Sequence, residues 1–213
     1  MKPTINVNQT VWKIIQSDLS LQKCLKSKLI NMRALAKHIV TRYSLNASLD
    51  SIISAIRRFQ GQDEIWQEEK SLLSVFKNSV VSTKNNVACL TLNLSSKEFF
   101  QKAASLPNHY PYKVVVGDRE VKLVTDKPHL EKVKSFFNNS DIAKIEDGLS
   151  EISVRLSDIA NQMKGVLARL ANELALANII IHEIIICPPE FFIYLKQKDI
   201  VKAHDSILKL SQE

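Results

Sequence analysis

The stretch VVSTKNNVACLTLNLS, residues 80–95, decides the fold, because IAKIEDGLSEISVRLS, residues 142–157, repeats its pattern without a gap. The offset is 62 residues: Val80 matches Ile142, Val87 matches Leu149, Leu90 matches Ile152 and Ser95 matches Ser157. In both copies apolar residues alternate with polar ones, the period of a strand with one covered face. Lys84-Asn85-Asn86 and Asp147-Gly148 interrupt each run at the same place. Asn and Gly tolerate positive φ, so each interruption is read as the turn of a tight hairpin.

Working outward, the same order of elements follows each copy. After the first come a helix over 97–106, a strand over 112–116, a Gly117-Asp118 turn, a strand over 120–125 and a helix over 128–137 opened by Pro128. After the second come a helix over 165–177, a strand over 179–187, a Pro188-Pro189-Glu190 turn, a strand over 191–196 and a helix over 199–210. A duplicated strand–helix–strand–strand–helix unit is the structural reading, with modules at 78–138 and 139–213.

Toward the N-terminus the apolar period changes from 2 to 3.6. Val11, Ile14, Ile15 and Leu19 begin a helical run that splits near Asp18 to Ser20. Leu35, Ala36, Ile39 and Val40 mark a second stretch, and Ser48 is the expected N-cap of a third carrying Leu49, Ile52, Ile53 and Ile56. Gly61 closes this head, and 62–76 reads as an acidic connecting helix. The expected fold class is therefore α+β: a helical, helix-turn-helix-like domain over 1–62, a connector over 63–77, then two ferredoxin-like βαββα modules.

Charge is distributed unevenly. The chain carries +7 in total, yet residues 1–62 hold ten Lys or Arg against only Asp18 and Asp50, a net +8. A segment that basic is suited to a polyanion. In a helix-turn-helix arrangement Lys26, Lys28, Arg33, Lys37, Arg42, Arg57 and Arg58 would hold DNA phosphates, and the Ser48 helix would enter the major groove. The alternative is a head that docks on a protein partner.

The second module resembles an ACT domain, in the arrangement found at the C-terminus of aspartokinases. The resemblance rests on Ile152-Ser-Val-Arg-Leu156, Lys164-Gly-Val-Leu-Ala168, Leu174, Ala177-Asn-Ile-Ile180 and Phe192-Ile-Tyr-Leu195. The first module is similar but degenerate, with Ser96-Lys97 where the glycine falls. The resemblance implies a small effector, an amino acid, bound at an interface between paired modules of a homodimer. The residues expected at that site are Asp158, Lys164, Gly165, Val166, Asn178 and Ile179. Gly165 opens a helix, whose free N–H groups favour a carboxylate, while Asn178 offers both donor and acceptor. The competing reading has Gly165 easing a loop into a helix and Asn178 capping that helix.

The sequence resembles no aspartokinase catalytic domain. His38, His109, His129, His182 and His204 do not cluster with acids at metal-ligand spacing, and four scattered glycines make no phosphate loop. Cys24, Cys89 and Cys187 are read as buried small hydrophobes rather than a disulfide set. The N-terminus shows no leader and the most apolar stretch, Ile179 to Cys187, falls short of the ~20 residues of a membrane span. The expectation is a non-enzymatic cytoplasmic regulator with no metal or cofactor and no membrane partner.

Overall fold

Four helices of the head begin at residues that satisfy free helix N–H groups with their own side chains. In the computed structural model, which describes residues 6–59, 71–106 and 111–212, these N-caps are Asn6, Asp18, Asn31 and Ser48. The helices are α1 (Val7–Gln16), α2 (Leu19–Lys26), α3 (Met32–Tyr43) and α4 (Leu49–Arg57). Asp18 splits the first apolar run by accepting from the N–H groups of Ser20 and Leu21. Ser44, at φ +51, ends α3 in the left-handed conformation before the turn into α4. The inward stripes bury Val11, Ile15, Leu35, Ile39, Ile52 and Ile56 in one core. Trp12 Nε1 donates to the Ala55 carbonyl at 2.8 Å, tying α1 to α4.

The chain divides into two compact units, Met1–Lys70 and Ser71–Glu213. In the second, residues 71–77 are helical (α5). They are followed by β1 (Val80–Leu92), α6 (Ser96–Ala103), β2 (Tyr112–Val116), β3 (Val121–Asp126) and α7 (Leu130–Lys134). Then come β4 (Ile142–Arg155), α8 (Val166–Leu176), β5 (Ile181–Cys187), β6 (Glu190–Lys196) and α9 (Ile200–Lys209). All six strands form one antiparallel sheet in the order β2-β3-β1-β4-β6-β5. The expected connecting helix lies outside the described residues up to Lys70. Its remainder, α5, sends Leu72, Val75 and Phe76 into the core beneath β4 and β6.

The two expected hairpins do not form. β1 and β4 are single long strands, and each pairs with the other instead of folding back on itself. Asn86 and Gly148 do take positive φ, +57 and +65, but at β-bulges where the register shifts rather than at turns. Both geometries ask for the same residue types, and the longer ladder between β1 and β4 wins. The pairing obeys the 62-residue offset. Lys84 faces Glu151, and shifting each by 62 gives Glu146 and Cys89, which face one another too.

At the bulges each long strand bends and changes which residues point to which face. Consequently the sheet has helices on its outer surface and a closed inner surface. Phe99 of α6 and Val133 of α7 cover Leu90, Leu92 and Leu123, while α5, α8 and α9 cover Ile152, Val154, Ile193 and Leu195. A third apolar cluster, Val87, Cys89, Val124, Leu149 and Tyr194, lies on the inner face between the two halves. Of the three cysteines expected inside, only Cys89 is buried; Cys187, at the end of β5, is exposed. The curl is strong enough for Lys122 of β3 to form an ion pair with Glu183 of β5. Strands four places apart in a flat sheet would be about 19 Å distant. No helix of the described residues is long and apolar enough to cross a membrane.

Candidate functional site

The chain leaves β4 at Arg155 and reaches α8 through a single 3-10 turn, Asp158–Gln162, followed by Met163, Lys164 and Gly165. Gly165 holds φ +86 as the residue before the helix, a conformation that favours glycine, and no side chain caps α8. Asp158, Lys164 and Gly165 are exposed together on this loop. A Cβ built on Gly165 would lie 3.7 Å from Leu72 Cδ2, so α5 flanks the loop directly.

Other members of the expected set sit elsewhere. Val166 and Ile179 point into the core, at 4% and 6% exposure, and can present only backbone. Asn178 stands at the far end of α8 with φ +54, and Ile179 N–H donates to the Leu174 carbonyl to close the helix. Eleven helical residues separate it from Gly165, about 16 Å along the axis. One small ligand cannot touch both within this chain. Asn178 instead borders an open cationic depression with Ile180, His182, Lys198 and Lys202.

A separate cavity of ≈ 260 Å³ lies where β2, β3, β1 and β4 converge. Val87 and Val124, both buried, line it together with Tyr112. Four charged side chains surround it as two crossed pairs: Lys84 Nζ to Asp126 at 2.5 Å and Lys113 Nζ to Glu151 at 2.8 Å. Lys113 also sits 4.2 Å from the centre of the Phe192 ring. Glu151 is nearly buried, and its cross-strand neighbour Tyr194 is fully so. Burial first, and the Glu151 carboxylate second, push the Tyr194 hydroxyl far above its ordinary range. That hydroxyl is turned to Glu151 without meeting hydrogen-bond geometry. Residue patterning alone does not reveal this cavity, because inward charges on an alternating strand look like an ordinary wet face.

On the head, Lys28, Arg33, Lys37, Arg42, Arg57 and Arg58 are exposed. Lys26 is not: at 9% exposure it follows Leu25 inward in the last turn of α2, which corrects its expected place among phosphate-facing cations. Arg33 and Lys37 lie one turn apart on α3. Of the head's two acids, Asp18 is engaged as the α2 cap. Among the described residues no group of His, Cys, Asp or Glu could hold a metal ion.

No protein family model matches the sequence, and no curated protein does. Solved structures do resemble it in fold. Aspartate kinase from Clostridium acetobutylicum, described as an allosteric enzyme, aligns over 61% of this chain at 18% identity with TM-score 0.51. The chain spans 34% of that enzyme's length. It covers far more of two shorter chains. A putative C-terminal regulatory domain of aspartate kinase from Porphyromonas gingivalis W83 is covered over 98% of its length, with 63% of this chain aligned, 16% identity and TM-score 0.51. The ligand-free regulatory subunit of aspartate kinase from Thermus thermophilus is covered over 95%, with 61% of this chain aligned, 12% identity and TM-score 0.52. The mixed α/β fold with its curled antiparallel sheet is thus that of aspartate kinase regulatory domains.

Proposed function

We propose that this protein is an amino-acid-responsive regulator built from two paired ACT-like modules and a basic helical head. The observation that carries the reading is the fold likeness to whole regulatory chains of aspartate kinases, each covered over 95% or more of its length. E. coli aspartokinase III, a further structure of this fold, was solved with aspartate and ADP. The exposed Asp158, Lys164 and Gly165 loop is the effector seat in this reading. It offers a lysine, an acid and an uncapped helix start to an α-carboxylate and α-ammonium. Because Asn178 is about 16 Å from Gly165 within one chain, it joins that seat only from a second chain of a homodimer.

The head is assigned to DNA. Its support is the row of exposed cations on α3 and at the end of α4, with a short turn between the two helices in the manner of a helix-turn-helix. Ser51 and Asp50, exposed near the start of α4, are the residues that would face base edges. The protein-docking reading of the head shares the sensor and differs only in the target. Fluorescence anisotropy with duplex DNA across a salt series, with and without each common L-amino acid, tests both halves. DNA affinity that falls steeply with salt and shifts with one amino acid supports the proposal. Salt-independent or absent binding removes the DNA half, and the absence of any amino-acid effect removes the sensor.

A further inference from the structure

The geometry points to a second ligand seat, the cavity between β1, β2, β3 and β4, which takes a small zwitterion held by exchange with the Lys84–Asp126 and Lys113–Glu151 pairs. Three observations support it. First, the lining is balanced: two cations and two anions surround the space, so a net-neutral ligand leaves the charge of the cavity unchanged. A lone anion or cation would displace one partner of a pair and leave the other uncompensated, at greatest cost at Glu151, the buried member of the four. A carboxylate entering between Lys84 and Lys113, with an ammonium between Asp126 and Glu151, keeps every charge paired.

Second, stability alone does not account for these groups. Ion pairs this accessible to solvent contribute little to stability, and the inner cluster beside them is apolar. The buried Tyr194 hydroxyl faces Glu151, the buried carboxylate of the lining, so a polar group lies within the otherwise apolar inner cluster beside the cavity. Third, size and shape select the ligand. At ≈ 260 Å³ the cavity is smaller than the ~300–1,000 Å³ of sites for drug-sized molecules. Val87, Val124 and Tyr112 supply an apolar surface for a short side chain. A ligand here touches strands from both halves of the curled sheet, so it bears on their packing.

This seat shares only its ligand class with the Gly165 loop, and the two are separable. The experiment is calorimetric titration of the full chain with the common L-amino acids, using acetate and methylammonium as single-charge probes. It is repeated on Lys84→Met/Asp126→Asn and on Lys164→Ala. The expected result is an amino acid whose affinity falls about tenfold or more in the double variant, as for lost charge-assisted contacts, and is unchanged in Lys164→Ala. Acetate and methylammonium are expected not to bind. Lys84→Met alone, at a side chain 43% exposed, gives the same direction if the double variant is unstable. Amino-acid binding lost in Lys164→Ala but kept in both cavity variants overturns this seat and leaves the effector reading standing. Single-charge probes that bind as well as amino acids overturn it too, and silence of the unmodified protein overturns both readings.

Discussion

Asn86 and Gly148 occupy equivalent places 62 residues apart, and each holds a left-handed backbone, at φ +57 and +65, where the paired strands β1 and β4 bulge. The bend they allow brings Val87 and Leu149 onto the inner face, where both are buried against Tyr194. Nothing stands within 4 Å of a Cβ built on Gly148, so Gly148→Ala tests backbone conformation without a clash. The expected loss is about 1 kcal/mol from the left-handed geometry alone. Asn86→Val should lose more, about 1–2 kcal/mol, because a branched side chain is worse placed there. Urea unfolding monitored by circular dichroism gives both values, and an unchanged midpoint for Asn86→Val would rule out the bulge geometry.

Acid should weaken the sheet-bearing unit through three carboxylates held below their ordinary range. Asp141 is lowered chiefly by its hydrogen bond from Lys102, Glu146 by that from Lys144, and Glu98 by its bonds from Ser95. A depressed folded pKa contributes stability that is present above the unfolded value and is lost as pH falls through the folded one. The midpoint of unfolding is therefore expected to be flat from pH 7 to about pH 5 and to drop below about pH 4. Lys102→Met should flatten part of that drop. Identical acid profiles for the variant and the parent protein would exclude the Lys102–Asp141 contribution.

The alkaline side has the opposite sign. Lys122 is raised above its ordinary value, first by its hydrogen bond to Glu183. Its contribution is present below the unfolded lysine value, ~10.4, and is lost as pH rises through the higher folded one. The pair is partly exposed, which keeps the effect small. A melting temperature that declines above about pH 10 in the parent and not in Lys122→Met is the expected pattern.

Thiol labelling separates the buried cysteine from the exposed one. Burial pushes the Cys89 thiol up to about 11, while Cys187 is open to solvent at the end of β5. Since the thiolate is the reacting form, iodoacetamide near neutral pH should modify Cys187 promptly and Cys89 only after unfolding. Mass mapping of the labelled peptides reads the order. Early modification of Cys89 would show that the inner face is open to solvent.

For the head, Arg33→Ala and Lys37→Ala should each reduce the slope of log affinity against log salt by about one if each side chain neutralises a phosphate. Lys26→Met, at a buried position, should change melting temperature and leave that slope alone.

Much of this architecture is legible in the residues themselves. The 62-residue offset survives as a register rule, since Lys84 with Glu151 and Glu146 with Cys89 are the same pair in two copies. Gly165 is legible because a glycine ahead of an apolar helical stripe signals positive φ. The two hairpins misled for the same reason in reverse: Asn86 and Gly148 report a backbone conformation, not what the chain does on either side of it. Asn178 has the residue type of a ligand contact and the position of a helix terminus, and the Ile179 to Leu174 hydrogen bond shows the second role. The charged cavity was hidden because Lys113 and Glu151 are 38 residues apart and meet only once the sheet has curled. Local periodicity carries no information about curl.

The close approach of Leu72 to Gly165 also decides where this chain can be divided. A fragment starting at Val80, the first residue of the sheet, would strip Leu72, Val75 and Phe76 from the core and open an apolar trough above β4 and β6. With Phe76 fully buried, the loss resembles a Phe→Ala core truncation, ~3–5 kcal/mol, before the other two side chains are considered. A piece that keeps this packing must begin no later than Ser71. Whatever is fused ahead of it is joined to a helix packed against the Gly165 loop, so a reporter attached there stands beside that loop through a non-bonded contact, not along the chain.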